Sequence, residues 1–392
     1  MKIKQIIKLS GFCVLLFLTS CQKSAEYVDV LFFTGTEDSN IAILAATDAT
    51  SAIGMTITAT DVMSSDVKIN VKIRPELVAE LNQKTGRSFQ TLPEGVNCSL
   101  SADYMTIKDG KHLSDQIKLE IAASPLIEGG VNYCIPVSII NVEGSDISIL
   151  DASRTLYVVV QKQITTQAFD LQKNAYFNVP SFLLNPDVMA LPQITLECRV
   201  LAESFHASNP WISSIIGIEE KFLIRFGDVS VERDEIMLAG GEVSADGVVI
   251  GKYQLAAVGY KFNTNQWYHV AAVYTGKTME LYVDGKRVAS TGAFQGQINF
   301  GFDWAGGFHI GYSADGRKLD GFISEARVWT VARTAAQLQE NMCAVDPTTP
   351  GLLAYWKLDA LDGTQATDLT GHGHHAIRKA GTTAWAPVKC PE

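Results

Sequence analysis

Residues 279–286 do most to fix the kind of fold this chain can adopt. Met279-Glu280-Leu281-Tyr282-Val283 alternates as a half-buried strand does, and Asp284-Gly285 follows at once, ahead of Lys286. A tight two-residue turn needs positive φ angles, which Asp and Gly tolerate, so the segment predicts a β-hairpin. The same alternation recurs at Ile53–Ala59, Val67–Ile73, Gln193–Val200 and Trp267–Tyr274. Helical patterning is confined to two places. Pro75 suits a first helical turn, Leu77, Val78 and Leu81 line one face, and Gly86 stops it; the second stretch runs from Ala335 to Met342. Many strands separated by turns predict an all-β chain built of antiparallel sandwiches.

A chain of 392 residues is too long for one ordinary core, so two domains are expected after any targeting segment. A 47% apolar and 19% charged composition is globular in balance. The net charge of −10 excludes a phosphate-tracking surface, since no basic stripe follows the first residues, and no nucleic-acid partner is expected.

Residues 1–20 read as a signal peptide. Lys2, Lys4 and Lys8 are positive, and Gly11 to Leu18 is apolar but much shorter than the ~20 residues of a spanning helix. Leu18-Thr19-Ser20-Cys21 resembles the lipobox of bacterial lipoproteins. That resemblance implies lipidation of Cys21, a membrane anchor and a short polar tether over 21–26. Several acyl chains on one residue suffice for stable anchoring. The implied location is extracytoplasmic, on the outer membrane and displayed at the cell surface.

Cys98, Cys134, Cys198, Cys343 and Cys390 remain, an odd number, so at least one is unpaired. Cys198 lies in the alternating strand Thr195–Val200 and reads as a small core residue. Cys343 and Cys390 lie in loop-like contexts near the end of the chain and are the disulfide candidates in an oxidising compartment. Cys98 and Cys134 stand open between a bridge and two buried thiols.

Residues 27–160 read as one β-rich domain. Its order of strand, strand, helix, then further strands suggests an immunoglobulin-like β-sandwich with one short helix. Tyr104–Gly110, Tyr133–Val137 and Thr155–Val158 resemble an N-terminal domain of unknown function from lipoproteins of polysaccharide-foraging Gram-negative bacteria. The segment contains no Trp, which suits a spacer better than a sugar platform. Residues 161–169 read as a polar linker, and 170–392 as a second domain that holds all six Trp.

Four stretches of the second domain resemble the laminin-G-like, concanavalin-A-type jelly roll: Gln193–Val200; Asn265–Tyr274 with Met279–Lys286; Phe308–Tyr312 leading to Asp320–Trp329; and Gly351–Leu358 with Asp368–Gly373. The resemblance implies a jelly-roll β-sandwich and either glycan or protein binding. Related sandwiches hold calcium through Asp and backbone oxygens, which points to Asp368 and Asp359 as ligands.

Glucanases of this fold carry Glu-x-Asp-x-x-Glu or Glu-x-Asp-x-Glu on one strand, so that alternate carboxylates face the sugar. The nearest stretch, Glu232-Arg233-Asp234-Glu235-Ile236-Met237, lacks the final acid at both permitted positions. Glu235 follows Asp234 directly and would point to the opposite face of a strand. No Gly-x-Ser-x-Gly elbow, phosphate loop or His-Glu-x-x-His helix is present. His372, His374 and His375 lie between glycines and read as decoration of a turn.

Carbohydrate sites pair an aromatic face with planar polar side chains. Trp267, Trp329 and Trp356 sit between core-facing residues of strand motifs and read as core, while Trp385 packs the last turn. Trp211 and Trp304 lie in loops, where binding groups are commonly displayed. With Asp303, Tyr253 and Arg225 they form the candidate glycan site; the alternative is that both Trp plug the ends of the sandwich. The expected function is therefore non-catalytic glycan capture by a surface lipoprotein, alongside neighbouring glycan-uptake or hydrolase proteins. A protein-binding adhesin or scaffold and a divergent glycoside hydrolase are the alternatives.

Overall fold

The structure, a computed structural model, describes residues 28–391 apart from 38, 173, 210, 244–248, 293–295 and 304–305, and leaves the side chains of 241–243 and 249–252 undescribed. The signal peptide, Cys21 and the tether lie outside the described residues, as does Trp304. Among the described residues no helix is long and apolar enough to cross a membrane.

The N-terminal domain is a sandwich, as its alternation predicts. A five-stranded sheet runs in the order Ile41–Ala46, Thr155–Lys162, Asn132–Glu143, Val67–Ile73, Tyr104–Ile107. Two three-stranded sheets complete the domain. One holds Ser148–Ile149, Val30–Phe33 and Ile57–Ala59, and the other Ser51–Met55, Ile117–Ile121 and Cys98–Leu100. Period two sorts the side chains. Tyr133, Ile135, Val137, Val158 and Val160 enter the core, whereas Cys134 and Val159 face the other way and meet helix α1 (Leu77–Thr85) through Val78 and Leu81. This decides the open cysteine pair. Cys98 packs against the core and Cys134 lies beneath α1, on opposite sides of the large sheet, and both are free thiols. Burial pushes the Cys98 thiol up to about 11 and the Cys134 thiol up to about 12.

The expected linker over 161–169 is corrected. Lys162 ends one strand and Ile164 begins the next, Ile164–Asp170, which pairs with Trp385–Cys390 in the second domain. Thr and Gln fill its outward positions, which disguised it as a polar connector. Only Gln163 separates the strands of the two domains.

The second domain packs two large sheets face to face. The first holds Lys286–Thr291, Met279–Val283, Trp267–Tyr274, Ile194–Ser204, Asp320–Trp329, Ile164–Asp170 and Trp385–Cys390, with Leu352–Trp356 paired to Asp320–Trp329. The second runs Val249–Lys261, Val231–Val243, Phe222–Asp228, Ser213–Ile218, His309–Ile310, Tyr176–Asn178, Ala376–Ala380, Gln365–Ala366. Between them lies the core, which includes Phe177, Leu196, Cys198, Phe222, Ile224, Leu238, Val270, Ile310 and Trp356. The hairpin at 284–285 forms with φ of 49° at Asp284 and 73° at Gly285, and Val283 stands opposite Lys286. Cys343 and Cys390 are disulfide-bonded.

The other face of the first sheet is covered by residues 330–350, including helix α2 (Ala335–Glu340), which Thr334 and Gln337 start with a reciprocal capping box. Trp329 is buried here, with Val345, Leu352 and Tyr355, rather than between the sheets; Trp267 is half-buried on the same side against Phe322. Of the three tryptophans expected as core, Trp356 is the one that lies between the sheets. Trp385 packs edge-on against Phe169 at the core margin, with centroids 5.1 Å apart.

Candidate functional site

Of the expected glycan-site residues, the structure describes Trp211, Arg225, Tyr253 and Asp303. Trp211 is 38% exposed and adopts φ of 67°, the left-handed region that costs a residue with a Cβ. It lines an open cleft of 680 Å³ with Asp228, Glu232, Arg233, Glu235 and Val258. Arg225 is a correction: it is only 4% exposed, and its guanidinium is tied to Glu219 at 2.9 Å and Asp228 at 2.5 Å. An arginine neutralised on both sides is a buried strut, not a displayed recognition group. Tyr253 is half-buried and packs against the core. Asp303 is exposed, and Trp304 beside it lies outside the described residues.

A different constellation lies on the face of the second sheet that is turned away from the core. On Tyr176–Asn178, Phe177 points inward, so Tyr176 and Asn178 point outward. Asn178 stands opposite His309, and His309 opposite Gly217. The rings of Tyr176 and Tyr312 lie 4.5 Å apart at 31°, both half-buried, and each contacts the His309 ring at 5.8 Å and 5.1 Å respectively. Next to them the turn Glu219-Glu220-Lys221 and the strand Phe222–Asp228 bring up Glu219, Lys221 and Arg225. Arg317 also pairs with Glu219, at 3.0 Å. Besides the strut atom Arg225 Nε, four buried side-chain atoms here have no hydrogen-bond partner: Asn178 Oδ1, Glu219 Oε2, Lys221 Nζ and Arg317 Nε. Buried polar atoms normally find partners, so a cluster of open ones asks for a ligand or water.

The carboxylates and guanidiniums of this face are paired with one another. Glu219 sits between two guanidiniums, and Asp228 takes up the remaining charge of Arg225. Lys221, 1% exposed, holds its ammonium 3.8 Å over the Phe302 ring, and burial pushes its pKa down. Burial lowers His309 to about 4, against a weaker hydrogen bond to the Gly307 backbone, so its ring is neutral at pH 7; that bond takes its one N–H and leaves one acceptor. The loop that carries Asp303 borders this face: Phe302 lies under Lys221, and Gly306 lies against His309. Tyr176, Asn178, Lys221 and Tyr312 were missed from sequence. The available signal was the outward phase of Asn174-Ala175-Tyr176-Phe177-Asn178-Val179, in which every second residue is apolar and core-facing.

Asp368, expected as a calcium ligand, is only 3% exposed and is saturated by donors. Oδ1 accepts from the backbone N–H of Tyr355 and of Thr370, both at 3.1 Å, and Oδ2 from that of His374 at 3.1 Å; the Thr370 hydroxyl reaches both oxygens at 2.8 Å. Such a carboxylate staples the turn 368–374 and has no lone pair directed to a cation. Asp359 accepts from the Thr166 hydroxyl at 3.3 Å. Among the described residues no group of three His, Cys, Asp or Glu could hold a metal ion. In the glucanase-like stretch, Asp234 and Glu235 both pair with Lys261, at 2.8 Å and 3.1 Å. The backbone N–H of Gly259 and then Lys261 hold the Glu235 carboxyl below its ordinary range, the wrong direction for a general acid.

Residues 173–339 match the family model of the concanavalin A-like lectin/glucanases superfamily, and residues 25–146 match that of an N-terminal domain. No curated protein matches the chain. A Bacteroides ovatus ATCC 8483 protein, for which carbohydrate binding is proposed, is similar over 93% of this chain and 98% of its own. Its identity is 25% and its TM-score 0.52. Bacteroides thetaiotamicron EndoBT-3987, solved with a Man5GlcNAc product, is similar over 41% of this chain and 34% of its own, at 16% identity and a TM-score of 0.30. A two-domain protein of unknown function from Bacteroides fragilis NCTC 9343 is similar over 69% of this chain and 93% of its own, at 13% identity and a TM-score of 0.29.

Proposed function

We propose that this chain is a non-catalytic, lipid-anchored surface protein that captures glycans on the outward face of the second sheet of its C-terminal domain. The observation that carries the reading is the Tyr176–Tyr312 pair beside four buried polar atoms without partners, those of Asn178, Glu219, Lys221 and Arg317. Aromatic rings cover the apolar C–H patches of a pyranose, and open donors and acceptors meet its hydroxyls. The whole-length similarity to a protein proposed to bind carbohydrate supports it. Cys21, in its lipobox-like setting, supports anchoring, and the engagement of Asp234 and Glu235 with Lys261 supports binding without hydrolysis. A membrane-held binder of this kind would hand glycan to neighbouring uptake or hydrolase proteins.

The test is a glycan array probed with the full-length chain, with calcium and with chelator, alongside Tyr176→Ala and Lys221→Met. A defined glycan that the wild type binds and both variants lose supports the reading, whatever the chelator does. Binding that ignores both substitutions overturns this site. Sugar release by the purified chain would overturn the non-catalytic part.

A second reading has one observation in its favour. Val229 and Val258 are 73% and 81% exposed close to Trp211, an apolar rim of the kind a protein partner covers. A folded chain blank on the array whose capture of a host protein is lost in Trp211→Ser would favour that adhesin role.

A further inference from the structure

We infer that the junction of the two domains holds a second ligand site, built for a neutral polyhydroxyl group the size of one or two sugar units. A cleft of 570 Å³ opens between α1 and its following loop on one side and the 329–350 segment on the other. That volume lies within the range of about 300–1,000 Å³ typical of small-molecule sites, which favour domain interfaces. The two domains are fixed to each other at its floor. The backbone carbonyl of Glu340 accepts from Asn132 Nδ2 and from Gln161 Nε2, each at 3.2 Å.

The lining states the ligand's chemistry. Its charged residues are Arg87, Arg333, Glu340 and Asp346, two of each sign, so the cleft selects against net charge. Arg87 Nε and Glu340 Oε1 form an ion pair at 3.1 Å whose geometry falls short of a hydrogen bond. Arg333, 6% exposed and stacked 3.8 Å over Trp329, leaves its own Nε without a partner. The cleft therefore holds one ion pair short of hydrogen-bond geometry and one buried donor, Arg333 Nε, without a partner. An anion would answer the guanidiniums and face Glu340; a cation would do the reverse. Vicinal hydroxyls both donate and accept, so they complement the ion pair and the Arg333 donor together. Because the lining comes from both domains, an occupant would bridge them. The inference does not depend on the outward-sheet site, since it rests on other residues.

Ligand-observed saturation-transfer NMR on the full-length chain tests it. The probes are glucose, galactose, mannose, N-acetylglucosamine and their disaccharides, with glucuronate and glucosamine as charged comparisons. Ser88, exposed at the cleft, is changed to Trp to fill it, and Arg87→Met removes a donor as an independent variant. The expected result is binding of a neutral sugar that weakens at least tenfold in either variant and persists in Tyr176→Ala. Absence of any binding by the neutral sugars, stronger binding of a charged one, or binding indifferent to both variants overturns the proposal. Loss in Tyr176→Ala with no effect of Ser88→Trp would overturn it while leaving the outward-sheet site standing.

Discussion

The indole Nε1 of Trp329 donates to Glu197 Oε1 at 2.7 Å, on the outer side of the first sheet of the second domain. Both residues are buried, 132 positions apart in sequence. The other oxygen, Oε2, lies 3.0 Å from His269 Nε2, and Arg327 Nη1 approaches Oε1 at 3.4 Å. Arg327 passes the network on to Glu325, which also accepts from the Tyr355 hydroxyl at 2.5 Å. Glu325 adopts φ of 54° at a bulge in the strand Asp320–Trp329, so a local backbone cost is spent on aiming its carboxylate.

This network predicts an acid-sensitive domain. Burial alone would raise the Glu197 pKa; the hydrogen bond from His269 and the charge of Arg327 overcome it and hold the group at about 2. A carboxyl lowered in the folded state contributes stability above its unfolded value, near 4.5, and that contribution is lost as pH falls toward 2. The amount at neutral pH is on the order of 3 kcal/mol. Glu197→Gln should lower stability by roughly 3–5 kcal/mol, because it removes the buried charge that Arg327 shares with Glu325 and weakens the acceptor of Trp329 and His269. Its unfolding midpoint in urea should also fall less steeply than the wild type's between pH 5 and pH 3. Parallel pH profiles for the two proteins would refute this account.

Asp368 carries a second stability prediction. Replacing it by Ala strips the N–H groups of Tyr355, Thr370 and His374 of their shared acceptor. The expected cost is about 1–3 kcal/mol, read as a lowered Tm. Addition of calcium should shift the melting of wild type and variant equally. A calcium-dependent rise seen in the wild type alone would restore Asp368 as a cation ligand.

Local physics was legible in the sequence, and long-range assembly was not. The hairpin at Asp284-Gly285 was readable because turn chemistry is written in two adjacent residues. The helix ended by Gly86 and the inward phase of Cys198 were readable for the same reason, since 3.6- and 2-residue periods are local. The strand Ile164–Asp170 was not, because its partner Trp385–Cys390 lies more than two hundred residues away and its outward face is Thr and Gln. Arg225 looked free because neither Glu219 nor Asp228 announces that it will turn toward the guanidinium. The Tyr176–Tyr312 pair was illegible because the strand Tyr176–Asn178 and the segment just past the strand His309–Ile310 become neighbours only when the sheet assembles.

Gly227 should govern how Trp211 is presented. Its φ is 67°, and a Cβ built there would lie 2.2 Å from the Trp211 backbone oxygen and 3.0 Å from Arg233 Cα. Both neighbours are backbone, so the segment must move. Gly227→Ala should destabilise the domain by about 1–3 kcal/mol. It should also change Trp211 emission, read as a difference from the same substitution made in a Trp211→Phe background. If that difference is zero, the loop adapts and Gly227 does not hold the indole in place.

The outward-sheet site makes a prediction about aromatic contact and pH together. Tyr176→Ala and Tyr312→Ala should each weaken glycan binding about tenfold, some 1.4 kcal/mol, with little change in Tm because both rings are half-exposed. Tyr176→Phe should retain most of the affinity if the ring face, rather than the hydroxyl, makes the contact. Burial lowers His309 to about 4, so the neutral ring persists and binding should be level from pH 7 to pH 5. Stability contributed by the neutral ring declines over a related window. The unfolded chain takes up a proton below about 6.5, so the folded state loses ground as pH falls from there through about 4. His309→Asn should remove that slope while keeping a polar side chain at the site. Calorimetric titration at pH 7 and pH 5 decides the matter: affinity that drops tenfold by pH 5 would mean a titrating group other than His309 holds the sugar.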